Sequence, residues 1–196
     1  MTPTRAAQQD FFQARALPQG FAYAEAILSP DEESQLIATL QPLPFKEFEF
    51  HGFTGRRRVL SFGWRYDFTG HGLQKAGDIP EFILPLREKV AAFASLAASD
   101  LQHVLITEYP AGAAIGWHKD RPAFRDVMGV SLASSCTFRF RRKDGLRWQR
   151  TSLDLEPRSV YLLRGPSRSE WEHSIPAVGA LRYSITFRTL AKSEKT

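Results

Sequence analysis

The sequence predicts an α+β domain in which two amphipathic helices precede eight short strands that close into a β-sandwich, jelly roll or barrel. Three observations carry this. The first hundred residues hold two segments of helical period. The second half alternates with a period of two between evenly spaced turn signals. Asp144-Gly145, set between Phe138-Arg139-Phe140-Arg141 and Leu146-Arg147-Trp148-Gln149, is a strong hairpin signal. A chain of 196 residues, 43% hydrophobic and 24% charged, is one domain with room for a sizeable core.

The elements follow in order. Residues 1–44 form a polar, loosely helical arm and a supporting helix. In LSPDEESQLIATLQPL, Ser29 is the N-cap, Pro30 opens the first turn, Glu32 and Glu33 come early, and the helix ends before Pro42. Residues 45–79 alternate and are crowded with aromatics. Phe48 and Phe50 share a face, Gly52 to Gly55 turn the chain, and Leu60, Phe62, Trp64, Tyr66 and Phe68 share a face on the return. A core spanning 80–190 starts with a second helix over 80–99, with Leu86, Val90, Phe93 and Leu96 or Ala97 on one side. Strands are expected at 102–109, 114–118, 127–133, 136–142, 146–153, 159–163, 171–174 and 181–189, before a tail at 191–196. No stretch is apolar enough for a membrane span. A lone cysteine, Cys136, fits a reducing compartment such as the cytoplasm. The net charge of +5 tilts the expectation toward polyanionic partners.

Chemistry enters at IGWHKD. His118 and Asp120, two apart at a strand end, leave on the same face. With a third imidazole they would form a 2-His-1-carboxylate set, which holds one face of Fe(II) and leaves three positions open. His51, His71, His103 and His173 are available. His173, in the strand before RYSITFR, is the one placed to meet the pair in a closed β fold; the alternative is a satisfied core or surface histidine. RYSITFR splits into Tyr183, Ile185 and Phe187 on one face and Arg182, Ser184, Thr186 and Arg188 on the other. The polar face looks either at water or into a metal cavity. Inward arginines need counter-anions, and arginine grips a carboxylate with two parallel bonds. A small chelating dicarboxylate, 2-oxoglutarate, meets both demands.

At these residues the chain resembles a known family. Tyr109-Pro-Ala-Gly112-Ala-Ala-Ile115-Gly-Trp-His118-Lys-Asp120, then His173, then Arg182 to Arg188 resemble the AlkB family of Fe(II)/2-oxoglutarate dioxygenases. Arg58 to Gly70 look like its base-recognition lid. The resemblance covers about residues 45–190 and implies a double-stranded β-helix. It implies His118, Asp120 and His173 on iron, and Tyr109, Arg182 and Arg188 on 2-oxoglutarate, with Ser184 and Thr186 lining its slot. Tyr66 and Phe68 would cover a flipped base, with Trp64 in the same lid. Fe(II), 2-oxoglutarate and O2 are the implied cofactors, and oxidative demethylation of N-alkylated bases the implied activity.

Two departures stand out. Thr107 replaces the family's usual Asn, while sharing the inward face. Pro122, beside Arg121, stands where members acting on adenine or cytosine carry an acidic residue. The alternatives are the same chemistry on a protein or small molecule, and an inactive nucleic-acid-binding module. FRFRRKDGLRWQR adds a basic hairpin. With Asp144-Gly145 as its two-residue loop, Arg142 would face Arg147, Arg139 would face Arg150, and Arg141 would lie beside Trp148. Arg141, Arg142 and Arg147, with Arg56, Arg57 and Arg58, would form a phosphate-gripping rim. A monomer acting on single-stranded or base-flipped nucleic acid is expected.

Overall fold

A computed structural model describes residues 17–50, 53–67 and 72–191. The N-terminal arm up to residue 16, His51, Phe68, His71, the tail from 192, and the side chain of Tyr66 lie outside what is described. A short strand unexpected from the sequence, β1 (Phe21–Ala24), comes first, followed by helix α1 (Pro30–Leu40). Ser29 caps α1 as expected, in a capping box closed by Glu32, and Leu36 and Leu40 are its buried face. Strands β2 (Lys46–Phe50), β3 (Phe53–Asp67) and β4 (Gly72–Lys75) follow. Phe53 to Gly55 belong to the returning strand, so the reversal expected at Gly52 to Gly55 falls between Phe50 and Phe53 instead.

Helix α2 (Leu84–Ala94) is shorter than its period suggested. Ser95 takes the left-handed conformation at φ 54° and turns its backbone N–H back to Ala91 and Ala92, which ends the helix five residues early. The strands of the second half lie within a few residues of expectation. They are β5 (His103–Tyr109), β6 (Ile115–His118), β7 (Phe124–Leu132), β8 (Cys136–Asp144), β9 (Arg147–Leu155), β10 (Val160–Leu163), β11 (Glu172–Ile175) and β12 (Arg182–Leu190), with a single turn α3 (Pro166–Ser169) before β11.

Pairing is antiparallel throughout. One sheet runs β1-β10-β7-β12-β5-β3-β2 with β4 on β3, and the other runs β6-β11-β8-β9. This is the double-stranded β-helix, a jelly roll of two facing sheets. Two cores result. Tyr183, Ile185 and Phe187 of β12, with Val104 and Ile106 of β5, pack outward under α1 and α2. Phe138, Phe140, Tyr161, Leu163 and Trp171 fill the space between the sheets. The apolar face of RYSITFR therefore meets the helices, and its polar face is the one turned into the roll. The helix layer explains the inversion, because a sheet covered by helices needs apolar residues on its outer side.

Two registers differ from the sequence reading. Asp144 pairs with Arg147, so the hairpin loop is Gly145-Leu146 rather than Asp144-Gly145. Gly145 has φ 57° while Leu146 does not enter the left-handed region, and a tight loop of that kind requires glycine in its first central position. Arg142 consequently faces Gln149, and Arg141 faces Arg150. In β3, Gly63 has φ 76°, and a Cβ there would lie 2.1 Å from the Gln102 carbonyl oxygen. The strand pairs β5 up to Gly63 and β4 after it. Leu60 and Phe62 join the helix-side core and Trp64 does not, so the single face expected through Phe68 is broken. No helix among the described residues is long and apolar enough to cross a membrane.

Candidate active site

A cavity of about 1890 Å³ opens between the sheets, lined by residues of β3, β5, β6, β7, β11 and β12. In β5, β7 and β12 the inward face can be polar because it alternates with the apolar face beneath the helices, while β6 and β11 reach the cavity from the facing sheet. His118 ends β6 directly opposite His173 of β11, and their ring centroids are 4.3 Å apart. Asp120, two residues on, places Oδ2 3.6 Å from His173 Nε2. That contact is no ion pair. Burial, with His118 adding to it, holds His173 down to about 3, so its ring is neutral at physiological pH. Burial also lowers His118, against the opposing pull of Asp120.

Asp120 is the reverse case. Burial alone would raise it, but Arg188 and the nearby imidazoles outweigh that and keep its carboxyl below the usual range. Arg188 donates from Nε to Asp120 Oδ1 at 2.8 Å, with Nη2 at 2.7 Å. Its Nη1 lies 3.2 Å from His103 Nδ1, and its guanidinium sits 5.2 Å over Phe124. An arginine only donates, so His103 Nδ1 accepts and its proton is on Nε2. Burial presses His103 to about 2.

Do these groups suit a divalent metal? Among the described residues, no three His, Cys, Asp or Glu side chains are drawn in around one point. The donor chemistry nevertheless fits. His118 Nδ1 lies 2.9 Å from the Gly116 carbonyl oxygen, which can only accept, so Nδ1 carries the proton and Nε2 offers its lone pair. Two neutral imidazoles and one ionised carboxylate are the donors of a 2-His-1-carboxylate face.

A second feature lies deeper. Arg182 is fully buried and donates from Nε to Ser131 Oγ at 3.0 Å, yet its Nη1 and Nη2 have no hydrogen-bond partner. Tyr109, its cross-strand neighbour, lies 5.1 Å above the guanidinium and separates it from the open cavity. Arg57 reaches from β3 to hydrogen-bond Tyr109, and burial pulls its guanidinium below its ordinary value. Thr107, Ser184 and Thr186 line the wall between the two arginines.

The sequence-predicted residues divide. His118, Asp120, His173, Thr107, Tyr109, Ser184, Thr186 and Arg188 border one cavity, with Arg182 behind Tyr109. Trp64 and the hairpin residues Arg141, Arg142 and Arg147 do not line it. Arg142 is bound to Glu170 at 2.6 Å and Gln149 at 3.0 Å and lies over Trp171. His103 was among the available imidazoles without being placed in the site, and Arg57 was read only as rim. For His103 no local sequence signal exists, because its position opposite Arg188 is set by the pairing of β5 with β12.

Comparison with known proteins gives the class first. The profile described as the 2OG-Fe(II) oxygenase superfamily matches residues 20–188, and the chain belongs to that family of dioxygenases dependent on Fe(II), 2-oxoglutarate and O2. The similarity is of AlkB type. The chain is 29% identical over 145 residues to the alkylated DNA repair protein ALKBH8 homolog of Arabidopsis thaliana, covering 62% of this chain and 42% of that protein. It is 28% identical over 167 residues to the Mus musculus tRNA (carboxymethyluridine(34)-5-O)-methyltransferase ALKBH8, covering 82% and 24%. The chain thus spans less than half the length of these relatives. The structure of OsALKBH1 matches the fold with a TM-score of 0.64 at 18% identity, covering 89% of this chain and 100% of that one. A 2OG-Fe(II) oxygenase family oxidoreductase from Burkholderia pseudomallei matches with 0.60 at 15%, covering 87% and 85%.

Proposed function

We propose that the chain oxidises an alkyl group on a nucleic-acid base, with His118, Asp120 and His173 holding Fe(II) and Arg182 gripping the far carboxylate of 2-oxoglutarate. One observation carries the reading: Arg182 is buried with two guanidinium nitrogens unpartnered. A buried cation left in that state is costly, and a carboxylate presenting two oxygens would satisfy it. Bound iron supplies the oxidising chemistry, in which 2-oxoglutarate and O2 yield succinate and CO2 and a substrate C–H bond becomes C–OH.

The chain's residues do the remaining work. Arg188 keeps Asp120 ionised and oriented, the Gly116 carbonyl fixes the His118 tautomer, and Ser184, Thr186 and Thr107 offer hydroxyls along the slot. Arg57 and Tyr109 cover its inner end. Residues 45–79 act as the lid and 80–190 as the catalytic core, within a single domain. Tyr66 and Phe68 would cover the base. When the oxidised carbon is an N-methyl group, the resulting N–CH2–OH releases formaldehyde and leaves the demethylated base.

A second reading of the substrate rests on Pro122, which lines the cavity and has no side-chain acceptor. Adenine and cytosine present an exocyclic amine that such an acceptor would bind, whereas uracil presents none. The mouse relative's printed name concerns a tRNA uridine, and a uridine bearing a 5-substituent suits this wall. The test is anaerobic loading with Fe(II) and 2-oxoglutarate, followed by O2 with N-methylated DNA oligonucleotides or with 5-substituted-uridine RNA. Formaldehyde from the first set supports demethylation, and a gain of one oxygen by the second supports uridine hydroxylation. Succinate formation that no nucleic acid stimulates would overturn the nucleic-acid reading.

A further inference from the structure

We infer that the outer face of the β6-β11-β8-β9 sheet is a docking platform for a single-stranded segment of the polynucleotide whose base enters the cavity. This rests on the proposed function and adds a second surface to it. On that face the Arg141 guanidinium lies between two indoles, 4.6 Å from Trp117 and 4.4 Å from Trp148. Arg139 also lies over Trp117, at 5.0 Å, and donates to Ser174 Oγ. Arg141 is paired with Glu172 through Nε, which leaves its outer nitrogens free of that bond. The remaining charges of the face are Lys143, Arg150 and Asp154, the last bonded to Thr137. Lys143 and Arg150 have no hydrogen bond or ion pair among the described residues. The neighbouring Arg147 and the fully exposed Leu146 close the hairpin tip, and Trp148 is 39% exposed.

Stability alone does not account for this arrangement. Glu172 and the two indoles already hold Arg141, but the Arg150 side chain directly opposite has no such partner among the described residues, and like charges so placed oppose the pairing of β8 with β9. A phosphate between them would remove the repulsion, because the stacked Arg141 is already held rigid. Beside that pair, Trp148 offers an exposed indole face, and single-stranded nucleic acid alternates phosphates with bases that stack on such rings. Trp117 also borders the cavity and is the neighbour of His118. From β6 to β9 is about 14 Å across the sheet, a span of two to three nucleotides. An acidic peptide would meet the charges without needing the indole.

The experiment uses the full chain, a fluorescent single-stranded oligonucleotide, and a titration from low to high salt. Lys143→Ala with Arg150→Ala should weaken binding and flatten the log Kd against log salt slope by about 1.4, the value for two phosphate contacts on a single strand. Trp148→Ala should weaken binding about 5- to 100-fold, and Trp148→Phe should restore most of it. All three side chains are exposed, and an unchanged circular dichroism spectrum confirms that each variant is folded. If the wild type binds and the variants match its affinity and slope, the platform is wrong while the catalytic reading stands. If the wild type binds no oligonucleotide, the nucleic-acid reading itself fails. Loss of charge dependence with no effect of Trp148→Ala overturns the stacked single strand and leaves contact to phosphates alone.

Discussion

Arg182 and Arg188 sit on the same face of β12, six residues and about 20 Å of strand apart, and their surroundings are opposite. Each nitrogen of the Arg188 guanidinium has a partner: Asp120 takes two and His103 the third, and both groups belong to the protein. Arg182 is more deeply buried and has one bond, to a neutral serine. The first arrangement has a protein partner at every nitrogen and supports Asp120 of the proposed metal site. The second has two nitrogens unpartnered, which a carboxylate presenting two oxygens would satisfy. On the proposed reading one strand contributes a structural cation and a receptor cation, and stability should distinguish them where activity cannot.

The largest effect is expected from breaking the saturated end. Arg188→Met leaves Asp120 buried without its counter-charge, a loss that costs about 3–5 kcal/mol. In metal-free protein the melting temperature should drop by roughly 10 °C. Arg182→Met should behave oppositely in the absence of ligand. It removes an unsatisfied buried charge and orphans only the Ser131 hydroxyl, so stability should hold or rise by about 1 kcal/mol. Thermal melts of the two variants side by side decide the matter. Equal destabilisation would mean that Arg182 is as structural as Arg188.

Ligand binding sharpens the contrast next. Arg182→Lys keeps the charge and loses the two-pronged donor, which should raise the apparent KM for 2-oxoglutarate about 10- to 100-fold. Fe(II) affinity, read anaerobically by titration, should stay at the wild-type value. An unaltered KM would take the carboxylate away from Arg182.

A smaller effect concerns pH. His103 and His173 are held to about 2 and 3 by burial, below their ordinary 6.5. Their folded pKa is depressed, so the unfolded chain binds more protons as pH falls below 6.5. Metal-free stability is therefore fully present above that pH and declines from 6.5 toward 4. These two groups together contribute up to about 2.7 kcal/mol per pH unit to the slope. His103→Leu should remove about 1.4 kcal/mol per pH unit of it. Denaturant melts across that range measure the slope, and a flat profile would mean the two rings are not buried neutral.

What was legible in the sequence follows from which signals are local. The alternation of RYSITFR, the Ser29 cap and the eight later strands were readable because period and turn chemistry act over a few residues. That His118, Asp120 and His173 lie together was readable because spacing and family motifs coincide. β1 was missed, since Phe21–Ala24 is four residues whose strand character comes entirely from pairing with β10. The hairpin register turned on which residue of Asp144-Gly145-Leu146 takes positive φ, and a dipeptide signal does not say whether glycine is first or second in the loop. The break at Gly63 depends on the Gln102 carbonyl, a contact 39 residues away. The His103–Arg188 bond is likewise set by β5 lying beside β12, which no single segment encodes.

The smallest expected effect lies between the two arginines. Thr107 faces Ser184 across the ladder, two residues from Tyr109 and four from His103, so it sits nearer the unsatisfied end. The AlkB-type pattern has Asn here, whose amide supplies two donors where Thr has one hydroxyl. Thr107 is buried and lines the cavity, so a longer side chain extends into open space and not into the helix-side core. Thr107→Asn should therefore lower the KM for 2-oxoglutarate by about 2- to 10-fold, the worth of one net hydrogen bond, with kcat and metal affinity nearly unchanged. The same substitution in the Arg182→Lys background should recover part of what was lost, because both side chains would hold one carboxylate. If Thr107→Asn improves KM equally with and without that background change, the two residues act on separate ends of the cosubstrate. The receptor end would then be Arg182 alone.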